Sequence, residues 1–581
     1  MTRTTPGRRA ARTGEGATAT VADALGAALA DAGVRHTFGV VGVGNVRVVA
    51  ALTKAGVRYV PARHEAGAAT MADAYHRVSG EVGICTVTYG PGLTNTATGL
   101  ADAVKNRSAV VVVCGDPPGG RQRSIDIDQQ AFATSLGAAT VRVTSPADAV
   151  AAVAVALRTT VAQGRPVVLF VPVDVQAMPA GPPQQAPPAP APVVTAPGAD
   201  VGALVALLGT ARRPVLLAGL GAWRADARGP IATLAELCGG LLATTLPAKG
   251  IFGPTPWSLG VVGSLSSPTA AELIGEADMI LAFGASMSEW TLHGNGRGVL
   301  DPSATVVQVD LRPEQISPRT DIGIVGDARA VATALCDGLL EAGTPTSGWR
   351  RRVADRVAGS NWNRQRYTDR GTADRIDPRT LSSALAELLP EHRTLVTDGG
   401  HFIGWPARYW PVADPSGFVF TGMALQSIGL GFAGAVGAAL GRSDRVVVLA
   451  VGDGGALMGL SELDTLIRTA DSALVVVYDD AAYGADVHLH GDSLEVSLGT
   501  IFTDTDFGGL ARSLGAEAAV VRTVRDLDVV RAWRDRGCAG TLLLDCKIVR
   551  DVIGYHMADP GRAAPSPDRP ATPTEEGDAH E

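Results

Sequence analysis

Short apolar runs rich in Val, Leu and Ile recur along the chain, each ending at a turn signal and most followed by a stretch of helical period. They are too short for helices and too uniformly apolar for half-exposed strands. They therefore predict buried strands of parallel sheets joined by crossover helices. A helix over 21–32, a strand over 36–41 and a helix over 45–55 open the series, and strands over 82–87, 108–114 and 166–171 continue it. Strands over 214–218, 279–283 and 305–309 form a second set, and strands over 446–451 and 473–478 belong to a third. The fold class this implies is α/β, with three doubly wound parallel-sheet domains over 18–176, 200–342 and 378–555. The Pro-, Ala- and Gln-dense 177–199 reads as an extended linker. The Arg- and Trp-containing 343–377 reads as a connecting segment, and 1–17 and 556–581 as disordered tails. The uncharged 421–441 is long enough to span a membrane. Its glycines, Gln426 and its place before a βαβ unit make it a buried loop and helix instead.

Composition narrows the function classes. With 46% hydrophobic and 19% charged residues, the 581-residue chain can fill several cores. A net charge of −8 without a sustained basic face excludes a nucleic-acid surface. The six cysteines have no ligand-type spacing and several lie in apolar runs, so they read as reduced core residues of a cytoplasmic protein. The N-terminal residues lack the apolar centre of a secretory signal.

The candidate chemistry gathers at strand ends. Residues 446–451 lead into Gly452-Asp453-Gly454-Gly455, and 473–478 into Asp479-Asp480-Ala481-Ala482-Tyr483-Gly484. Ligands of open parallel sheets bind beyond the carboxyl ends of the strands. Two carboxylates there suit Mg²⁺, and glycine at a helix start lets backbone N–H groups approach phosphate. The stretch resembles the thiamine diphosphate signature, in which Gly-Asp-Gly is followed by Asn-Asn and then Tyr-Gly. Here both asparagines are aspartates. By that resemblance Asp453, Asp480 and the carbonyl of Ala482 ligate the metal.

Two further motifs precede it. Arg63-His64-Glu65-Ala66-Gly67-Ala68-Ala69 opens a helix, and Thr88-Tyr89-Gly90-Pro91-Gly92-Leu93-Thr94-Asn95 ends a strand. In this order the motifs resemble acetolactate synthase and its relatives in the pyruvate oxidase and pyruvate decarboxylase superfamily, over roughly residues 18–555. The resemblance implies a pyrimidine-binding first domain, a central domain and a diphosphate-binding third domain. It places Glu65 on the aminopyrimidine ring of thiamine diphosphate, where a carboxyl group shielded from water shares a proton with the ring nitrogen. Gly90, Asn95, Gly399, Gly400, Gln426, Ile428, Gly452, Gly454, Gly455, Tyr483 and Gly484 fall on cofactor-binding positions. Ile428 is the wedge between the two rings. His401 is a phosphate donor, a substrate-facing proton carrier or an ordinary loop histidine.

On the substrate side, Val41, Gly42 and Asn45 follow the first strand, although Asn45 also suits a helix N-cap. His488 follows the metal loop. In acetolactate synthases the central domain holds FAD, but 287–297, with Trp290, His293 and Asn295, departs from the flavin pattern, and a structural domain without FAD is preferred. No histidine pair precedes Glu65, so release of an aldehyde has no evident proton donor. The expected activity is a carboligase joining a fragment of pyruvate or a similar 2-oxo acid donor to a second carbonyl acceptor. A simple 2-oxo acid decarboxylase is the alternative, and a cofactor-binding subunit without catalysis is a third. The family's sites lie between subunits, which implies a homodimer or homotetramer.

Overall fold

The computed structural model describes residues 19–119, 123–182, 201–292, 300–343, 345–490, 497–554 and 556–557. The expected N-terminal tail, most of the linker and nearly all of the C-terminal tail lie outside them, as do His293 and Asn295.

Three six-stranded sheets, paired parallel throughout, organise the chain. The first holds β1 (His36–Gly39), β2 (Arg58–Pro61), β3 (Gly83–Val87), β4 (Val110–Asp116), β5 (Ala139–Arg142) and β6 (Val167–Pro172), in the order β2-β1-β3-β4-β6-β5. The second holds β7 (Pro214–Ala218), β8 (Leu241–Thr244), β9 (Ser258–Val261), β10 (Met279–Phe283), β11 (Thr305–Asp310) and β12 (Ile322–Val325), in the order β12-β11-β10-β7-β8-β9. The third holds β13 (Arg393–Thr397), β14 (Phe418–Phe420), β15 (Val446–Gly452), β16 (Ser472–Asp479), β17 (Glu517–Val521) and β18 (Gly540–Lys547), in the order β14-β13-β15-β16-β18-β17. The first and third sheets therefore share one strand order. Their central strands are buried along all or nearly all of their length, as expected of sheets covered by helices on both faces.

The first and third domains share a continuous core. Met71, Ala74 and Tyr75 of the helix Glu65–Ser79 pack with Phe432, Ala435 and Val436 of the helix Gly431–Gly441. The uncharged run thus forms a buried helix, and among the described residues no helix is long and apolar enough to cross a membrane. Its small residues let the two backbones touch: a Cβ at Gly437 would stand 2.2 Å from the carbonyl oxygen of Met71.

Described parts of two segments expected to be connectors pack onto the domains. In the first, residues at the start of the supposed linker pair with the start of the first domain, Ala180 N–H donating to the Ala19 carbonyl at 2.7 Å. In the second, the helix Trp349–Gly359 buries Trp349, Val353 and Val357 in the central core, a stripe of spacing four inside an otherwise polar segment.

Candidate active site

The ends of β15 and β16 lie side by side, with Gly452 in register with Tyr478. Asp453 begins the short helix Asp453–Met458, and its Oδ2 accepts the Ala482 N–H at 3.1 Å, joining the two strand-end loops. Asp453 and Asp480 are both buried, 3% and 6% exposed. Burial, reinforced by the charges of Asp480 and Asp479, pushes the Asp453 carboxyl up to about 8. Burial raises Asp480 to about 7, with Arg550 opposing and Asp479 adding to the rise. Asp479 differs from them. Its Oδ2 takes the ammonium of Lys547 at 2.5 Å and its Oδ1 accepts the Ala481 N–H at 3.1 Å. The Arg550 guanidinium holds the same loop through the Asp480 carbonyl, at 2.9 and 2.7 Å. Of the three carboxylates, Asp479 is paired with an ammonium inside the fold, whereas Asp453, which also accepts the Gly454 N–H at 2.9 Å, and Asp480 are buried carboxyls raised by burial and by neighbouring aspartate charge. An all-oxygen donor set of this kind fits Mg²⁺.

The glycines of this loop are required by contact. A Cβ at Gly454 would stand 2.4 Å from the Tyr483 ring, and one at Gly455 2.7 Å from Asp398 Oδ2. Asp398 precedes the candidates Gly399 and Gly400 and organises their loop. Fully buried at the end of β13, it accepts from the Gly399 N–H at 2.9 Å and from the Gly429 N–H at 2.8 Å. It thereby ties Gly399 and Gly400 to the segment carrying Gln426 and Ile428. Burial raises its carboxyl to about 6. Gln426 adopts a left-handed φ of +61°, which turns the chain before Ile428.

His401 is buried, and its Nε2 accepts the Gly554 N–H at 2.8 Å, which leaves the ring proton on Nδ1. Burial, with His488 and Arg408 nearby, lowers it to about 3. The rings of His401 and His488 lie 4.3 Å apart.

In the first domain, Glu65 begins its helix and Oε2 accepts the Asn95 side-chain amide at 2.9 Å. His64 caps that helix, Nδ1 accepting the Ala66 N–H at 3.1 Å. Gly90 has a φ of +66° and donates its N–H to Gln129 Oε1 at 2.9 Å. Asn45 stands at a helix N-cap position but makes no side-chain cap bond. Its Oδ1 accepts the Gly42 N–H at 2.8 Å, while Nδ2 donates to the Val40 carbonyl and Thr86 Oγ1. Asn45 is fully buried, and these bonds hold the turn after the first strand. Val41, beside it, is 48% exposed.

A cleft of about 2120 Å³ is walled by His64 and Gly67 of the first domain, Leu265 of the central one, and Gly400, Ile428 and His488 of the third. Asp453, Asp480 and Glu65 are not part of its wall. Within one chain the structure gathers the diphosphate-side candidates, but it shows no contact between them and Glu65 among the described residues.

In the central domain, the Gly221 N–H donates to the Gly284 carbonyl at 3.0 Å, and a Cβ at Gly219 would stand 2.1 Å from that same oxygen. The turns that follow β7 and β10 thus close on each other.

Comparison with known proteins agrees with this arrangement along the chain. Residues 19–135 match the N-terminal TPP binding domain of thiamine pyrophosphate enzymes, 201–335 their central domain and 398–537 their C-terminal TPP binding domain. A probable 2-ketoarginine decarboxylase of Pseudomonas aeruginosa is 30% identical, over 88% of this chain and 90% of that protein. A probable acetolactate synthase large subunit of Methanocaldococcus jannaschii is 28% identical, over 86% of each. A sulfoacetaldehyde acetyltransferase of Alcaligenes xylosoxydans xylosoxydans is 27% identical, over 85% of this chain and 87% of that protein.

Proposed function

The chain belongs to the thiamine pyrophosphate enzymes, which perform carbon–carbon bond chemistry, and from that premise we propose that it is a carboligase. It takes pyruvate or a similar 2-oxo acid as donor and a second carbonyl compound as acceptor. Thiamine diphosphate, when bound, supplies the nucleophilic carbon and the electron sink for decarboxylation. The protein supplies the rest. Asp453, Asp480 and the Ala482 carbonyl hold Mg²⁺, and the Gly454–Gly455 backbone receives the diphosphate. Ile428 shapes the space between the cofactor rings. Glu65 holds a proton at the pyrimidine nitrogen, oriented by Asn95.

The observation that carries carboligation is the environment of Glu65. Its neighbour His64 is occupied as a helix cap and its hydrogen-bond partner is an amide. Among the described residues the side chain bonded to the Glu65 carboxylate is a neutral amide, and His64 has no second histidine beside it in the sequence. The His401–His488 pair in the third domain supports the second reading, a 2-oxo acid decarboxylase. Incubation with thiamine diphosphate, Mg²⁺ and a panel of 2-oxo acids, alone and with added aldehydes or ketones, distinguishes the two. A carboligase yields hydroxyketone or hydroxy-oxo acid products, whereas free aldehyde alone sinks the first reading. Absence of CO₂ from every donor, together with no exchange of the cofactor C2 proton, sinks both.

We also propose a cytoplasmic homo-oligomer in which a second copy completes the site at Glu65, and a central domain without FAD. A purified protein without visible absorption supports the latter.

A further inference from the structure

Two buried carboxylates cross between the first and third domains in opposite directions. Glu462, in the helix Ser461–Thr469, is 3% exposed. Its Oε1 accepts the N–H groups of Arg63 at 3.0 Å and His64 at 2.9 Å, the two residues that precede Glu65. Its Oε2 takes the Thr465 hydroxyl at 2.6 Å. A Cβ at Gly67 would stand 2.4 Å from Oε1, so glycine there admits the carboxylate. Asp102, in the helix Ala97–Lys105, is 2% exposed. It accepts the N–H of Gly422 at 3.0 Å and that of Leu425 at 3.1 Å, immediately before Gln426.

The positions correspond. Ala97–Lys105 lies between β3 and β4, and Ser461–Thr469 between β15 and β16, which hold the same places in the two sheets. Each carboxylate grips the loop that leads into the other domain's equivalent helix, Glu65–Ser79 or Gly431–Gly441. Either carboxylate would be costly to bury without such donors, and within its own domain Asp102 also takes the Asn106 side-chain amide at 3.0 Å.

We propose that Glu462 and Asp102 form a reciprocal clasp. Glu462 is a positioning residue for Glu65, and Asp102 is one for Gln426 and Ile428. The functional half of this statement rests on the proposed role of Glu65, whereas the structural half stands apart from it.

Two readouts separate these halves. The first is amide hydrogen exchange at Arg63 and His64 in the cofactor-free protein. The second is deuterium exchange at C2 of thiamine diphosphate, saturating and with Mg²⁺. Glu462→Ala is expected to speed amide exchange at Arg63 and His64 at least about tenfold, with the sheets still protected, and to slow C2 exchange by a similar factor. Glu462→Gln is expected to recover most of both losses, because its Oε1 can accept the same two N–H groups and its amide can donate to Thr465. Glu462→Asp, too short to reach, and Gly67→Ala, which displaces the carboxylate, are expected to behave like Glu462→Ala and stand in for it if that variant does not fold. Unchanged amide exchange at Arg63 and His64 in the folded variants overturns the clasp. Faster amide exchange with unchanged C2 exchange overturns the positioning of Glu65. A wild-type protein without C2 exchange defeats the functional reading, and the amide exchange alone then decides the clasp.

Discussion

Asn95 donates its side-chain amide to Oε2 of Glu65 at 2.9 Å, fixing the carboxylate at the start of its helix. A hydrogen bond to a charged group contributes roughly 1.5–3 kcal/mol, a factor of about ten to a hundred in an equilibrium. Asn95→Ala is therefore expected to slow C2 exchange of bound thiamine diphosphate about tenfold or more. Glu65→Gln should abolish turnover while leaving cofactor affinity largely intact, as titration of intrinsic fluorescence would report. Near-normal turnover in Glu65→Gln removes Glu65 from the mechanism.

The charge of Asp480 helps to raise the buried carboxyl of Asp453, its partner in the pair proposed to hold Mg²⁺. Asp480→Asn removes that charge, so the cofactor-free protein is expected to melt a few degrees higher. The same change removes a carboxylate ligand, and Mg²⁺ affinity in the presence of thiamine diphosphate should fall at least about tenfold. Melting curves with and without Mg²⁺ and cofactor check both directions. Unchanged metal dependence means that Asp480 is not a ligand.

Lys249 joins the central and third domains, its ammonium donating to the Ala407 carbonyl. Burial, with the charge of Arg393 nearby, lowers it to about 7. An unfolded lysine titrates near 10.4, so between about pH 7 and 10 the unfolded chain binds more protons. Stability from this group is then lowest below pH 7 and rises with pH across that window, by an amount on the order of a few kcal/mol. Lys249→Met is expected to flatten the rise. Urea midpoints at pH 7 and pH 9.5 for the two proteins measure it, and parallel pH dependences overturn the prediction.

Gly437→Ala places a methyl group against the Met71 carbonyl and forces apart the helices that follow the two cofactor loops. Overpacking of this kind costs roughly 1–3 kcal/mol. A lower melting temperature together with weaker thiamine diphosphate binding is expected. A drop in stability alone would mean that the helix spacing does not reach the site.

Much of the scaffold is legible in the sequence because its signals are local. The strand predicted over 214–218 coincides with β7, and the two acidic loops at the ends of β15 and β16 follow from run length and turn residues. Edge strands such as β2, β5 and β14 escape notice, being three or four residues long and placed by their neighbours. Trp349, Val353 and Val357 carry a helical stripe that the surrounding arginines hide. Within the site, residues with a motif were found, whereas Glu462 and Asp102 were not, and Asp398 was given no role of its own within its motif. Their partners are backbone N–H groups, which any residue supplies and which leave no mark on the partner's side chain.

The ion pair between Asp479 and Lys547 bears on any transplant of this loop. Exchanging Asp479-Asp480 for the Asn-Asn of the thiamine diphosphate signature would leave the ammonium of Lys547 facing only Asp545 and the Thr505 carbonyl, in a site where it is 4% exposed. The ammonium would keep one of its two carboxylate partners and lose the nearer. Because the same ammonium also pairs with the fully buried Asp545, the unit that exchanges as a whole is not the dipeptide but the dipeptide together with positions 547 and 545 on the neighbouring strand.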